Sequence, residues 1–180
     1  MTWCQENGPF DTVIDGANVG MYKQSFEDGQ FDFQQVERLM SHLREVRGPE
    51  AGPVLLVLHQ RRVRLGPAKT ATASHIIRQW EMSGALPCAH VQVHLSLWHS
   101  HLIFRIAEEL YTTPDGSNDD WYWLYAAVNA GPGCILVTND ELRDHVFQML
   151  PSPQKFYKWK ERHQARAIPG SPLECSGDTF

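Results

Sequence analysis

The sequence has little cysteine, no long apolar run and no excess of positive charge. Cys4, Cys88, Cys134 and Cys175 are its four cysteines in 180 residues, each more than 40 positions from the next. With no Cys-x-x-Cys pair, a zinc ribbon and a dithiol redox motif are excluded, and so wide a spacing argues for reduced thiols over a dense disulfide framework. No stretch approaches the ~20 apolar residues of a bilayer span. Met1 to Phe10 shows neither the basic and apolar regions of a secretory signal nor an Arg/Ser-rich amphipathic leader. This predicts a cytosolic or nuclear chain, or a piece of a longer one. Lys and Arg number 16 against 21 Asp and Glu, a net charge of -5. A blanket cationic grip on nucleic acid is thereby excluded, although a local basic patch is not.

What is present is an ordinary globular composition, 42% hydrophobic and 21% charged, at a length that fits one domain. Strand and helix patterns alternate. Thr12-Val13-Ile14 reads as a buried strand ending at Asp15-Gly16-Ala17-Asn18, and Val54 to Leu58 as a central strand covered on both faces. A helix is predicted from Phe33 to Val46, with Val36, Leu39, Met40, Leu43 and Val46 on its apolar stripe. Gln60 to Arg64 reads as an Arg-rich loop, and Ala73 to Ser83 as a helix closed by Gly84. Further helices are predicted over Trp121–Asn129 and Glu141–Leu150, flanking a strand at Cys134–Val137. Leu102, Ile103, Ile106 and Leu110 have helical spacing, and Ile168 to Phe180 reads as a disordered tail. The whole predicts an α/β fold with a parallel sheet, whose strand C-termini share one edge where ligands bind.

The aspartates fall at that edge. Asp15 ends one strand, Asp140 follows another, and Asp119 and Asp120 open a helix, so four carboxylates are expected to converge. Such a cluster repels itself unless a cation neutralises it, and Mg²⁺ is the hard, oxygen-seeking choice, with Mn²⁺ the alternative. An acidic pocket of this kind suits phosphodiester hydrolysis. Taken singly, Ser117-x-x-Asp120 is also a capping box and the other acids are also turn chemistry. Asp144 and His145 lie one helical turn beyond Asp140, facing either the same pocket or solvent.

Two basic strips stand against the acidic average. Lys155, Lys158, Lys160 and Arg162, with Arg166, are interleaved with Phe156, Tyr157 and Trp159; Arg61, Arg62 and Arg64, with Lys69, follow the central strand. Both suit phosphate contact, the first with base stacking, and both also fit a solvated surface. His90, His94, His99 and His101 include one zinc-like spacing, but read better as packing or surface histidines.

Phe10 to Gly20, Gly116 to Ala127 and Leu136 to His145 together resemble the nuclease domain of protein-only RNase P, nearest its plant and algal branch. Leu58 to Val63 and Trp159 to Gln164 are similar too. The resemblance implies a three-layer, parallel-sheet PIN/NYN-like fold over residues 8–167, with 88–113 as an insertion or an unspliced intron. It implies removal of the 5′ leader from precursor tRNA, with Asp15, Asp119, Asp120 and Asp140 as metal ligands. Asp144 and His145 would complete the catalytic set. The family's tRNA-binding repeats and zinc ligands are not in this sequence, so zinc is not assigned and the repeats are an expected requirement. A monomer in mitochondrion, chloroplast or nucleus is implied. The alternatives are a related nuclease acting on other RNA, and a catalytically inactive RNA-binding or partner-dependent fragment.

Overall fold

The computed structural model describes residues 2–24, 30–47, 52–83, 108–143, 153–167 and 174–175. Among the described residues six strands form one sheet: β1 (Thr12–Asp15), β2 (Val54–His59), β3 (Glu108–Thr113), β4 (Ile135–Val137), β5 (Gln164–Arg166) and β6 (Glu174–Cys175). Their spatial order is β3-β2-β1-β4-β5-β6. The first five are mutually parallel, whereas β6 is antiparallel, pairing Ala165 with Cys175. The chain runs outward from β1 through β2 to β3, then returns beside β1 at β4. The topological switch point therefore lies between β1 and β4, where an α/β sheet opens a crevice at its strand C-termini.

Helices cover both faces: α1 (Thr2–Asn7), α2 (Gly16–Met21), α3 (Phe33–Arg47), α4 (Gln60–Arg64), α5 (Ala71–Ser83), α6 (Asp119–Ala130) and α7 (Pro153–His163). All six residues of β2 are buried, which is why that strand reads as an unbroken apolar run. Side chains alternate across the sheet. Ile14, Leu56 and Leu58 pack with Val36 and Met40 of α3 and Ile76 and Trp80 of α5. Val13, Leu55, Val57 and Leu136 pack on the other face with Trp123 and Leu124 of α6 and Phe156 of α7. This is the parallel α/β sheet read from the sequence pattern, in the three-layer arrangement that the resemblance implies.

Several local expectations are corrected. Gln60–Arg64 is a helical turn rather than a loop, because His59 caps it by accepting from the Arg61 backbone N–H. Asn118, not Ser117, caps α6 by accepting from Asp120 N, while the Ser117 hydroxyl turns back to donate to the Pro114 carbonyl. Leu110 lies in strand β3, not in a helix; Tyr111, Thr112 and Thr113 carry the aromatic and β-branched bulk that a strand accommodates. Glu174–Cys175, in the segment read as a tail, adds the edge strand. Val46 is 61% exposed, since on a helix it falls about 80° from Val36 and off the buried stripe. Gly84, the histidines at 90–101, most of the predicted 141–150 helix and most of the 88–113 segment lie outside the described residues.

Two glycines let α2 lie against its neighbours. A Cβ on Gly16 would stand 2.7 Å from Leu58 Cδ2, and one on Gly20 would overlap the Phe31 ring. A ring fixed in the core yields little, so Gly20→Ala is expected to destabilise the fold by about 1–3 kcal/mol. Urea unfolding checks this; an unchanged midpoint would show the helix free to shift.

Candidate active site

Register places the chemistry on one face. Asp15 shares the parity of Val13 along β1, and His59 and Thr113 share that of Val57 and Tyr111 on β2 and β3, which are register partners. All three therefore end their strands on the α6 side, where the first turn of α6 brings Asp119 and Asp120. Thr138 follows β4 with the parity of Leu136 and reaches the same place.

Asp15 is 3% exposed and caps α2, its Oδ1 accepting from Asn18 N at 3.0 Å. Its Oδ2 accepts from the Thr138 hydroxyl at 2.8 Å, and that hydroxyl accepts in turn from Asp140 N at 3.1 Å. One threonine oxygen thus joins two of the sequence-predicted acids, 125 positions apart. The Asp140 carboxylate accepts from Leu142 N at 2.8 Å, bending a loop in which Leu142 takes φ 56°. The Gln164 side-chain amide clamps that loop, donating to the Thr138 and Asp140 carbonyls at 2.8 and 2.9 Å. Asn139 N donates to Asn18 Oδ1 at 2.9 Å, tying the loop back to α2.

Burial pushes the Asp15 carboxyl from its ordinary 3.8 up to about 7, opposed by its two hydrogen bonds and reinforced by the charges of Asp120 and Asp119. The charges of Asp119 and Asp120 therefore reach Asp15. Among the described residues, however, no three His, Cys, Asp or Glu side chains stand close enough to hold a metal ion. The crowding of four carboxylates expected from sequence is thus partial. Bare like charges separate, and oxygens of Asp15 and Asp140 are engaged by backbone and threonine donors. The donor set nonetheless fits a hard divalent cation, because an ionised carboxylate this deeply buried, facing two more, calls for positive charge. Asp144 and His145 lie outside the described residues.

The basic strips divide. On α7, Phe156, Trp159 and His163 stack at 5.7 and 5.1 Å along the inward face. Lys155, Lys158 and Arg162 are exposed, and Tyr157, 44% exposed, is the outward ring of the strip. Lys160 Nζ donates to the Glu141 carbonyl at 2.7 Å, and burial holds its pKa below the ordinary lysine value. Arg61 and Arg64 are exposed and Arg62 half-buried beside the C-terminal edge. Sequence reasoning missed Asn18, His59, Thr138 and Gln164. Of these, His59 alone carried a visible signal, as the residue that ends an apolar strand.

A three-layer parallel sheet with carboxylates at its C-terminal edge and basic side chains beside them is the class of α/β domain in which a nuclease site is built. Residues 85–173 match the family model described as Protein-only RNase P. The chain is similar to Proteinaceous RNase P 2 of Arabidopsis thaliana, 40% identical over 164 residues, 91% of this chain and 26% of that protein. It is 40% identical to Proteinaceous RNase P 1, chloroplastic/mitochondrial, of the same plant, over 91% of this chain and 23% of that one. The crystal structure of nuclear proteinaceous RNase P 2 from Arabidopsis thaliana superposes with a TM-score of 0.69 at 38% identity, covering 96% of this chain and 31% of that one. The chain belongs to the protein-only RNase P family, matching its nuclease region. It spans about a quarter of the length of the curated relatives it matches.

Proposed function

We propose that this domain is a metal-dependent endoribonuclease of the RNase P type that removes the 5′ leader from precursor tRNA. The observation that carries the reading is the buried, charge-strained Asp15, facing Asp119 and Asp120 and coupled through Thr138 to the Asp140 loop. Asp15, Asp119, Asp120 and Asp140 would hold Mg²⁺ or Mn²⁺, with Asp144 and His145 completing the set. When bound, such an ion supplies Lewis-acid stabilisation of developing phosphoryl charge and activation of water near neutral pH. The chain's own groups do the positioning. Thr138 fixes one Asp15 oxygen, Gln164 holds the Asp140 loop, and Asn118 caps the helix turn that presents Asp119 and Asp120.

Arg61, Arg62 and Arg64 on one side, and Lys155, Lys158, Lys160 and Arg162 on the other, are assigned to RNA phosphates. The compartment is mitochondrial, plastid or nuclear, as the names of its relatives allow, and the full enzyme works as a monomer with tRNA-binding repeats. Incubation of the chain with a 5′-extended tRNA, with and without Mg²⁺, tests the reading. A single Mg²⁺-dependent cut leaving a 5′-phosphate at the mature end supports it. Cuts scattered through single strands would instead make it a nuclease of broader RNA substrate, and binding without cleavage would make it a recognition module.

Lys155 and Lys158 project from α7 into solvent, so their pairing with RNA phosphates should act through counterion release. Lys155→Gln with Lys158→Gln is expected to lower the slope of log affinity against log salt by about one to two. An unchanged slope would return this strip to surface solvation.

A further inference from the structure

Between α1, α6 and strands β2 and β3 lies a cavity of about 260 Å³ that the nuclease reading does not use. Its walls are the rings of Trp3, Tyr111, Trp121, Tyr122 and Tyr125, and Leu55 and Val57 form its floor on the sheet. Packed interiors keep few voids larger than a water molecule, and an engineered apolar cavity of about 150 Å³ already holds benzene. Collapse does not close this space, because α1 is fixed in place. Gly8 N donates to the Cys4 carbonyl at 3.0 Å, and Asn7 Nδ2 to the Trp3 carbonyl at 2.8 Å. The Trp3 ring stacks with Phe10 at 6.0 Å and meets Tyr111 at 4.8 Å. The helix is thus pinned by its own contacts and holds the gap open.

The lining selects the guest. No Lys, Arg, His, Asp or Glu is among the described residues that line the cavity, so a phosphate or carboxylate finds no counter-charge there. Burial, reinforced by Tyr122 and Cys4, holds the Tyr111 hydroxyl above its ordinary pKa, the mark of a medium that resists charge. Tyr111 and Tyr122 lie 5.8 Å apart and 29° from parallel, an offset stack that a further ring can extend. We propose that this cavity binds a neutral aromatic molecule of one or two rings. A methylated ammonium ion, another guest of aromatic walls, is disfavoured by the aliphatic floor and the lack of a carboxylate in the lining. A nucleotide is disfavoured by its phosphate, so the site is no part of the RNA path and stands apart from the nuclease reading.

The test titrates the whole chain with 2-naphthol in a calorimeter, with 2-naphthoate and tetramethylammonium as anionic and cationic comparisons. One-to-one binding of 2-naphthol is expected with a Kd on the order of 100 µM, and about tenfold weaker binding of either ion. Cys4 lines the same cavity and is half-buried, so its alkylation by iodoacetamide, followed by peptide mass spectrometry, reports occupancy at the site. With 2-naphthol at about ten times its Kd, that rate should fall about tenfold by mass action. Cys134, buried and with its thiol pushed up to about 12, is the unreactive control. Trp121→Ala and Tyr125→Ala, at partly exposed positions of α6, should each weaken 2-naphthol about fivefold with unchanged circular dichroism. If either variant fails to fold, Cys4 protection in the parent chain decides alone. No saturable heat, or saturation that leaves Cys4 alkylation unchanged, would overturn the site. Equal binding of either ion would overturn the neutral class of ligand. Undiminished binding by both folded variants would place the ligand elsewhere and overturn the site as well.

Discussion

Asp120→Asn and Asp140→Asn are each expected to lower single-turnover cleavage of a 5′-extended tRNA in Mg²⁺ by about a thousandfold, with the fold intact. Both changes are close to isosteric. Asp120 keeps its backbone N–H on the Asn118 cap, and an asparagine at 140 still offers an oxygen to Leu142 N. What disappears is one negative charge at the crevice. Loss of one electrostatic stabiliser of a transition state costs about 3–4 kcal/mol, which is the thousandfold. Far-ultraviolet circular dichroism and urea midpoints should match the parent chain. Turnover near the parent level by either variant would remove these acids from the chemistry.

Asp15→Asn, unlike these two, is expected to change stability, and to raise it. With its folded pKa raised from 3.8 to about 7 by burial, Asp15 is neutral in both folded and unfolded chains below about pH 4. Between about pH 4 and 7 the unfolded chain releases a proton that the folded one retains, so stability falls as pH rises. Above that window the loss is complete, about 4 kcal/mol. Asparagine has nothing to ionise, so in EDTA the variant should be the more stable by a few kcal/mol at pH 8, and indistinguishable near pH 4. Urea melts at the two pH values read this directly, and equal midpoints at pH 8 would show that Asp15 is not strained. Adding Mg²⁺ should stabilise the parent far more than the variant. A buried carboxylate retained at this cost to the metal-free fold is what a binding site requires, and stability gained by its removal is the usual exchange at functional sites.

Particular elements show how far the sequence could be read. Strands β1, β2 and β4 were legible because each is buried on both faces and so spelled as a continuous apolar run. The short strands β5 and β6 and the edge strand β3 were not. Gln164-Ala165-Arg166 has one apolar residue, and its strand exists because Ala165 accepts from Thr138 N and the Gln164 amide spans the loop after β4. The aromatic strip on α7 was legible as basic and aromatic, but its inward stack depended on where the sheet lay. His59 could be seen to end a strand, though not that its ring would be pinned by Arg61 with one nitrogen left over.

Residue type and spacing alone determined that this chain forms a parallel α/β sheet and which acids stand at its strand ends, since burial on two faces and chain reversal leave local marks. Tertiary structure decided the rest: the switch point between β1 and β4, the threonine shared by Asp15 and Asp140, and the rise of the Asp15 pKa. Those depend on segments more than 120 positions apart being brought within 3 Å, and no local pattern encodes a distance of that kind.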